Sequence, residues 1–207
     1  MDELFFKPRQ PVAIHGNNLP HWQQERVWQF VTFRLKDSIP VELTKSYLSE
    51  RDRWLAVHPE PWSSMDRRCY HEQFTQRIHT WLDKGYGKCP LRHIQNRQAM
   101  ASVIMRDHPV RAEMVSWIIM PNHVHLLFSP RIEINTLIRC WKGVSARKIG
   151  LGPIWQSNYY DTMIRNRRHF NTVVDYIRNN AKRMKRSEFT YWENQVFIAD
   201  QPVTTKR

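Results

Sequence analysis

The sequence predicts an α+β domain built on a ferredoxin-like antiparallel sheet, with helices on one face. Three observations lead there. Segments of strand-like composition occur once alone, once as a tight hairpin and once more near the C-terminus, long stretches of helical spacing separate them, and their order is strand, helices, two strands, helix, strand, helix. Right-handed crossovers applied to that order give an antiparallel sheet.

Pro8, Pro11 and Pro20 with Asn17-Asn18 mark residues 1–24 as an irregular arm. From Trp28 to Leu35 apolar residues fall on both faces of an alternating pattern, as in a buried strand. Residues 41–57 have helical character until His58-Pro59-Glu60-Pro61, where proline removes the amide donor and restricts its predecessor. A second helix is expected over Met65 to Leu82, before the Gly85-Tyr86-Gly87 turn, and a third within Pro90 to Arg106, closed by His108-Pro109. Glu113 to Ile119 and His123 to Phe128, separated by Met120-Pro121-Asn122, read as a hairpin. Asn135 to Ile149 is a helix with Leu137, Ile138, Trp141, Val144 and Ile149 inward and Arg139, Lys142, Arg147 and Lys148 facing solvent; Gly150 stops it. Tyr159 to Ile164 is a short strand. In the last helix, about Arg168 to Lys185, Phe170, Val173, Val174, Ile177, Ala181 and Met184 form one apolar stripe. Residues 187–207 are expected to be a tail.

The chain of 207 residues is read as a single domain. Lys plus Arg number 32 against 19 Asp plus Glu, a formal charge of +13 with a pI near 10.1, which points to a polyanionic partner. No apolar run approaches the roughly 18 residues of a spanning helix, and acids near the start argue against a signal peptide, so a soluble cytoplasmic, nucleoid-associated protein is expected. Cys69, Cys89 and Cys140 lack disulfide or zinc spacing and are expected to be reduced. Aromatics make up 12%, nine of them Trp; a single ring is more often core than a stacking platform for bases.

The chemistry-bearing pattern is His123-Val124-His125. Side chains two apart on a strand face the same way, so the imidazoles form a two-nitrogen claw for a divalent ion while Val124, Leu126 and Phe128 face the other side. By itself such a pair is as compatible with an incidental role as with metal binding. On the last helix Tyr176 and Asn180, four apart, share a face at the edge of the apolar stripe, and the Asn180 carbonyl could serve as a further oxygen ligand. A half-buried packing tyrosine is the plain alternative for Tyr176.

Gly85-Tyr86-Gly87-Lys88-Cys89-Pro90-Leu91-Arg92, Trp117-Ile118-Ile119-Met120-Pro121-Asn122-His123-Val124-His125-Leu126-Leu127, Trp155-Gln156 with Tyr159-Tyr160-Asp161 and Ile164-Arg165, and Tyr176-Ile177-Arg178-Asn179-Asn180 follow one another through residues 82–185. In these blocks the chain resembles the REP-associated tyrosine transposases, relatives of the single-tyrosine HUH transposases. The resemblance implies the HUH nuclease fold with a C-terminal helix carrying the nucleophile, Tyr176. It also implies His123, His125 and Asn180 as ligands of Mg²⁺ or Mn²⁺, and single-stranded hairpin DNA of the repetitive palindromic kind as partner. One departure is that Ala181-Lys182-Arg183-Met184-Lys185 stands where the family usually continues with Pro-Val-Lys-Ala-Gly, which extends the helix with basic residues.

The expected reaction is cleavage of single-stranded DNA through a 5′-phosphotyrosine, releasing a 3′-hydroxyl, and rejoining without a nucleotide cofactor. Tyr159 and Tyr160 are the rival nucleophiles. Phosphates are expected at Arg139, Lys142, Arg147 and Lys148, at Arg165, and at Arg178, Lys182, Arg183, Lys185 and Arg186, two solvated basic faces being the bland reading. A monomer is favoured over a dimer, with no protein partner or membrane required. Competing readings are a hairpin-binding protein that has kept the fold without cleavage, and a replication or transfer initiator.

Overall fold

The protein is described by a computed structural model over residues 4–15 and 21–198. The first strands, β1 (Ala13–His15) and β2 (His21–Gln23), pair antiparallel, so the expected irregular arm contains a small β-structure. Then come β3 (Gln29–Arg34), α1 (Val41–Val57), α2 (Ser64–Tyr70), a π-helical segment (His71–Thr75), α3 (Gln76–Asp83) and α4 (Ile94–Arg106). The hairpin is β4 (Ala112–Ile119) and β5 (His123–Pro130), followed by α5 (Ile134–Ile149), β6 (Tyr160–Met163) and α6 (Arg167–Lys182). Last are β7 (Thr190–Glu193) and α7 (Gln195–Ile198), in the segment expected to be a tail, whose residues 199–207 lie outside the described residues.

The five long-range strands form one antiparallel sheet in the order β6-β3-β5-β4-β7. The first four have the ferredoxin-like arrangement, and β7 extends the sheet beyond β4. Helices cover both faces rather than the single face expected. Val31, Phe33, Val124, Leu126 and Phe128 pack with Met100, Val103 and Ile104 of α4 and with Leu137, Ile138 and Trp141 of α5. On the other face Trp28, Val115, Ile118 and Leu127 pack with Phe170, Val173, Val174 and Ile177 of α6. The physical reason is that β3, β4 and β5 are apolar on both sides, so one helical layer would leave half of that surface wet. A bulge between Met114 and Ser116 re-phases β4: Met114, Trp117 and Ile119 point to α4 and α5, Val115 and Ile118 to α6.

The predicted stripe seats α6 on the sheet. Phe170, Val174 and Ile177 are fully buried, each stabilising the fold by roughly 1.5–3 kcal/mol relative to exposure. The Asn166 side chain accepts from the His169 amide at 2.9 Å and caps the start. The helix ends at Lys182 with Arg183 as cap, so the basic continuation leaves the helix instead of lengthening it. The helix expected over residues 65–82 is interrupted by the π segment. Phe74, Ile78 and Leu82 join Ile39 and Tyr47 in a separate small core under α1.

Candidate active site

Antiparallel register places Thr32 of β3 directly opposite His125 of β5, on the sheet face that α6 covers. His123 and His125 are buried there, and their Nε2 atoms stand 3.0 Å apart. Both Nδ1 atoms are engaged from behind. His123 Nδ1 lies 2.7 Å from Asn122 Oδ1, and His125 Nδ1 lies 2.7 Å from Thr32 Oγ1. Asn122 is itself oriented, since its Nδ2 donates to the Tyr86 carbonyl at 3.2 Å, so its oxygen must accept from His123. The Gly85-Tyr86-Gly87 turn that supplies this carbonyl is held tightly. Gly87 has φ +88°, and a Cβ there would come within 2.5 Å of the Asp37 carbonyl oxygen.

These hydrogen bonds determine what the pair can do. Burial lowers the His123 pKa to about 3 and, with His123 beside it, lowers that of His125 well below the usual range, so both rings are neutral. With its proton on Nδ1, His123 presents a bare Nε2. The Thr32 hydroxyl can either donate to His125 Nδ1 or, rotated, accept from it; in the second state both Nε2 atoms carry lone pairs aimed into the same small space. Two ligands in adjacent octahedral positions at about 2.1 Å from an ion would be about 3.0 Å apart, so the pair fits a divalent cation. Among the described residues, no group of three or more His, Cys, Asp or Glu side chains is placed to hold a metal.

Tyr176, from α6, brings its hydroxyl to 3.4 Å from His125 Nε2 and 3.0 Å from Nδ1 of His79. Its ring packs edge-on against Phe30 and His125. Burial pushes the phenol up to about 12. Asn180 is buried one turn further on; its Nδ2 donates to the Tyr176 carbonyl at 3.0 Å, and it lines a cavity with Asn122, Asp83 and Arg183. In front of Tyr176 lies a cleft of about 810 Å³ between α3 and α6, floored by Phe30, Thr32 and Tyr160. Nothing in the spacing of the sequence marks His79 as a site residue. Its pKa is lowered to about 4, chiefly by burial and then by His71.

The rival tyrosines separate clearly. Tyr159 stacks on His21 at 3.7 Å and commits its hydroxyl to Asn135, whereas Tyr160 is exposed, faces the same cleft as Tyr176 and lies 3.5 Å from the Tyr47 hydroxyl.

The basic residues divide by environment. Arg183 borders the cleft itself, and Arg139 lines a second cavity of about 650 Å³ that adjoins Tyr159. Arg147, Lys148, Arg165, Lys182 and Lys185 are exposed, and Arg186 lies over the Phe189 ring. Lys142, expected to face solvent, is buried and donates to the Ser157 carbonyl at 2.7 Å, and burial lowers its pKa to about 8. Arg178 is held by Glu193 of β7 through contacts of 2.7 and 2.8 Å, so its charge is already matched within the protein. Cys69, Cys89 and Cys140 are free thiols. Among the described residues, no helix is long and apolar enough to cross a membrane.

Residues 95–180, a stretch of less than half of the chain, match the model of the family described as IS200-like transposases. This stretch contains His123, His125, Tyr176 and Asn180 and leaves out α1, α2 and α3. A solved structure of a REP-associated tyrosine transposase bound to a REP hairpin is similar at 19% identity with a TM-score of 0.46, over 81% of this chain and 74% of that one. No curated protein matches the chain.

Proposed function

We propose that this protein is a metal-dependent endonuclease and strand transferase for single-stranded DNA that folds into hairpins, with Tyr176 as the nucleophile. The observation that carries this reading is the convergence, in one cleft, of a tyrosine hydroxyl and two neutral imidazole nitrogens, the hydroxyl 3.4 Å from the nearer of them. A tyrosine packed only for stability would have no need of a paired histidine face beneath its hydroxyl. The match of residues 95–180 to a transposase family supports adding DNA processing to that geometry.

Tyr176 Oη attacks the scissile phosphorus, a 5′-phosphotyrosine forms, and the 3′-hydroxyl leaves; attack by a 3′-hydroxyl on the phosphotyrosine reverses the step and rejoins a strand. His123 and His125, with the Asn180 carbonyl oxygen, would hold Mg²⁺ or Mn²⁺, which when bound neutralises charge on a nonbridging phosphate oxygen. Asn122 fixes the tautomer of His123, and Asn122 and Thr32 hold the orientations of the two histidines. The ring packing of Phe30 against Tyr176 restricts the phenol to one approach. Arg183 at the cleft and Arg139 at the adjoining cavity provide cationic contacts for the phosphates of the strand.

The substrate class proposed is the imperfect palindrome of repetitive extragenic elements, acted on by a monomer in the cytoplasm. The test is incubation of an end-labelled single-stranded hairpin with protein and Mn²⁺, followed by a denaturing gel. A covalent protein–DNA band is expected; tight hairpin binding with no band under any divalent ion would leave a binding protein and overturn the nuclease reading.

A further inference from the structure

The helical segment between β3 and α4 lies outside the matched residues, yet it forms one wall of the cleft. The polar stripe His71, Thr75, Gln76, His79, Thr80 and Asp83 lines the cleft. The adjacent stripe Phe74, Ile78 and Leu82 locks the same stretch into the small core with Ile39 and Tyr47. The π segment His71–Thr75 runs directly into α3 and re-phases it, so that core and cleft stripes keep their sides through to Asp83. Of the cleft stripe, His79 reaches furthest into the site. Its Nδ1 lies 3.0 Å from Tyr176 Oη, and its ring packs against those of Tyr176 and His125 at 5.6 and 5.8 Å between centroids.

We propose that His79 is a catalytic residue of this site, whose Nδ1 accepts the Tyr176 hydroxyl hydrogen bond and thereby aims Oη at the phosphate. The inference rests on the assignment of Tyr176 as nucleophile. The choice of acceptor follows from the geometry around Oη, which has two ring nitrogens within reach. His125 Nε2 is the longer contact at 3.4 Å and already faces His123 Nε2 at 3.0 Å, where the pair would share an ion. His79 Nδ1 is nearer and is not part of that pair. A phenol hydrogen bonded there is restrained from rotating about its C–O bond, while the tyrosine still lines the open cleft. The anchoring of Ile78 and Leu82 on either side keeps the imidazole from following the substrate out.

The experiment measures the rate of covalent adduct formation at saturating hairpin and Mn²⁺ for the wild-type protein, His79→Ala, His79→Asn and Tyr176→Phe. Asparagine places its carbonyl oxygen close to where Nδ1 stands, so it restores an acceptor without restoring an imidazole. His79→Ala should lower the rate about 100-fold, the scale of a misplaced reacting group, with hairpin affinity, Mn²⁺ binding and thermal unfolding close to wild type. His79→Asn should recover most of that loss. An unchanged rate in His79→Ala overturns the proposal, as does a His79→Asn protein that folds and binds normally but is as slow as His79→Ala. Persistence of adduct in Tyr176→Phe is a different failure, that of the nucleophile assignment itself.

Discussion

Replacing Tyr176 by Phe removes one oxygen atom from the cleft and leaves the ring where it is. The hydroxyl makes one good hydrogen bond, to His79 at 3.0 Å, and one long contact, to His125 at 3.4 Å. A net hydrogen bond is worth about 0.5–1.5 kcal/mol, and a partner left without it faces an open cleft where water can replace the lost group. The ring contacts with Phe30, His125 and His79 are retained. Stability should therefore fall by about 1 kcal/mol or less, which for a domain of this size is a Tm change of about 2–4 °C. The chemical step has no such cushion, because among the described residues Tyr176 is the tyrosine whose hydroxyl contacts the histidine pair. The assay is the denaturing gel for covalent adduct, run beside fluorescence anisotropy with the labelled hairpin and a thermal melt. Expected are no adduct, unchanged hairpin affinity and a small Tm decrease. Adduct at the wild-type level would refute the reasoning; Tyr160→Phe would then be the next variant, since Tyr160 is exposed in the same cleft while Tyr159 is committed to Asn135.

Replacing either His123 or His125 by Ala should abolish Mn²⁺ binding, measured by calorimetry, and cleavage together, because one nitrogen cannot keep the geometry of a pair; full activity in excess EDTA would exclude a metal role. The double variant Lys182→Ala, Arg183→Ala should weaken hairpin binding and flatten its log–log salt dependence by about 0.7 per lost contact to single strand or about 0.9 per lost contact to duplex, with cleavage at saturating DNA retained; an unchanged slope would move the strand path to the Arg139 cavity. Lys142 concerns stability. Its folded pKa of about 8 lies below the ordinary 10.5, so between those pH values the unfolded chain binds more protons and stability rises with pH. Lys142→Met should flatten that rise in urea unfolding measured from pH 8 to 10.5, and identical slopes in the two proteins would show that the amine is solvated.

Local pattern determined much of this protein. The alternation around His123 and His125, the tight Met120-Pro121-Asn122 connection and the stripe from Phe170 to Ile177 are set by chain periodicity, and β5 and α6 follow it. For the same reason the shared direction of the two histidines and the edge position of Tyr176 were legible from spacing. What spacing could not reach are the partners that meet across the chain. His79 lies 97 residues before Tyr176, and Thr32 lies 93 before His125; no periodic signal links them until α3 docks and β3 takes its register against β5. β7 is only four residues long, too short to stand out from a tail, and pairing with the exposed edge of β4 gives it its strand form. Charge likewise could be counted but not located: the sequence contains both Lys142 and Arg178 as cations available for phosphate, while the fold buries one against backbone carbonyls and pairs the other with Glu193. A helix or strand is decided by hydrogen bonds between near neighbours, whereas a site is decided by which surfaces bury one another, and that depends on all the distant segments at once.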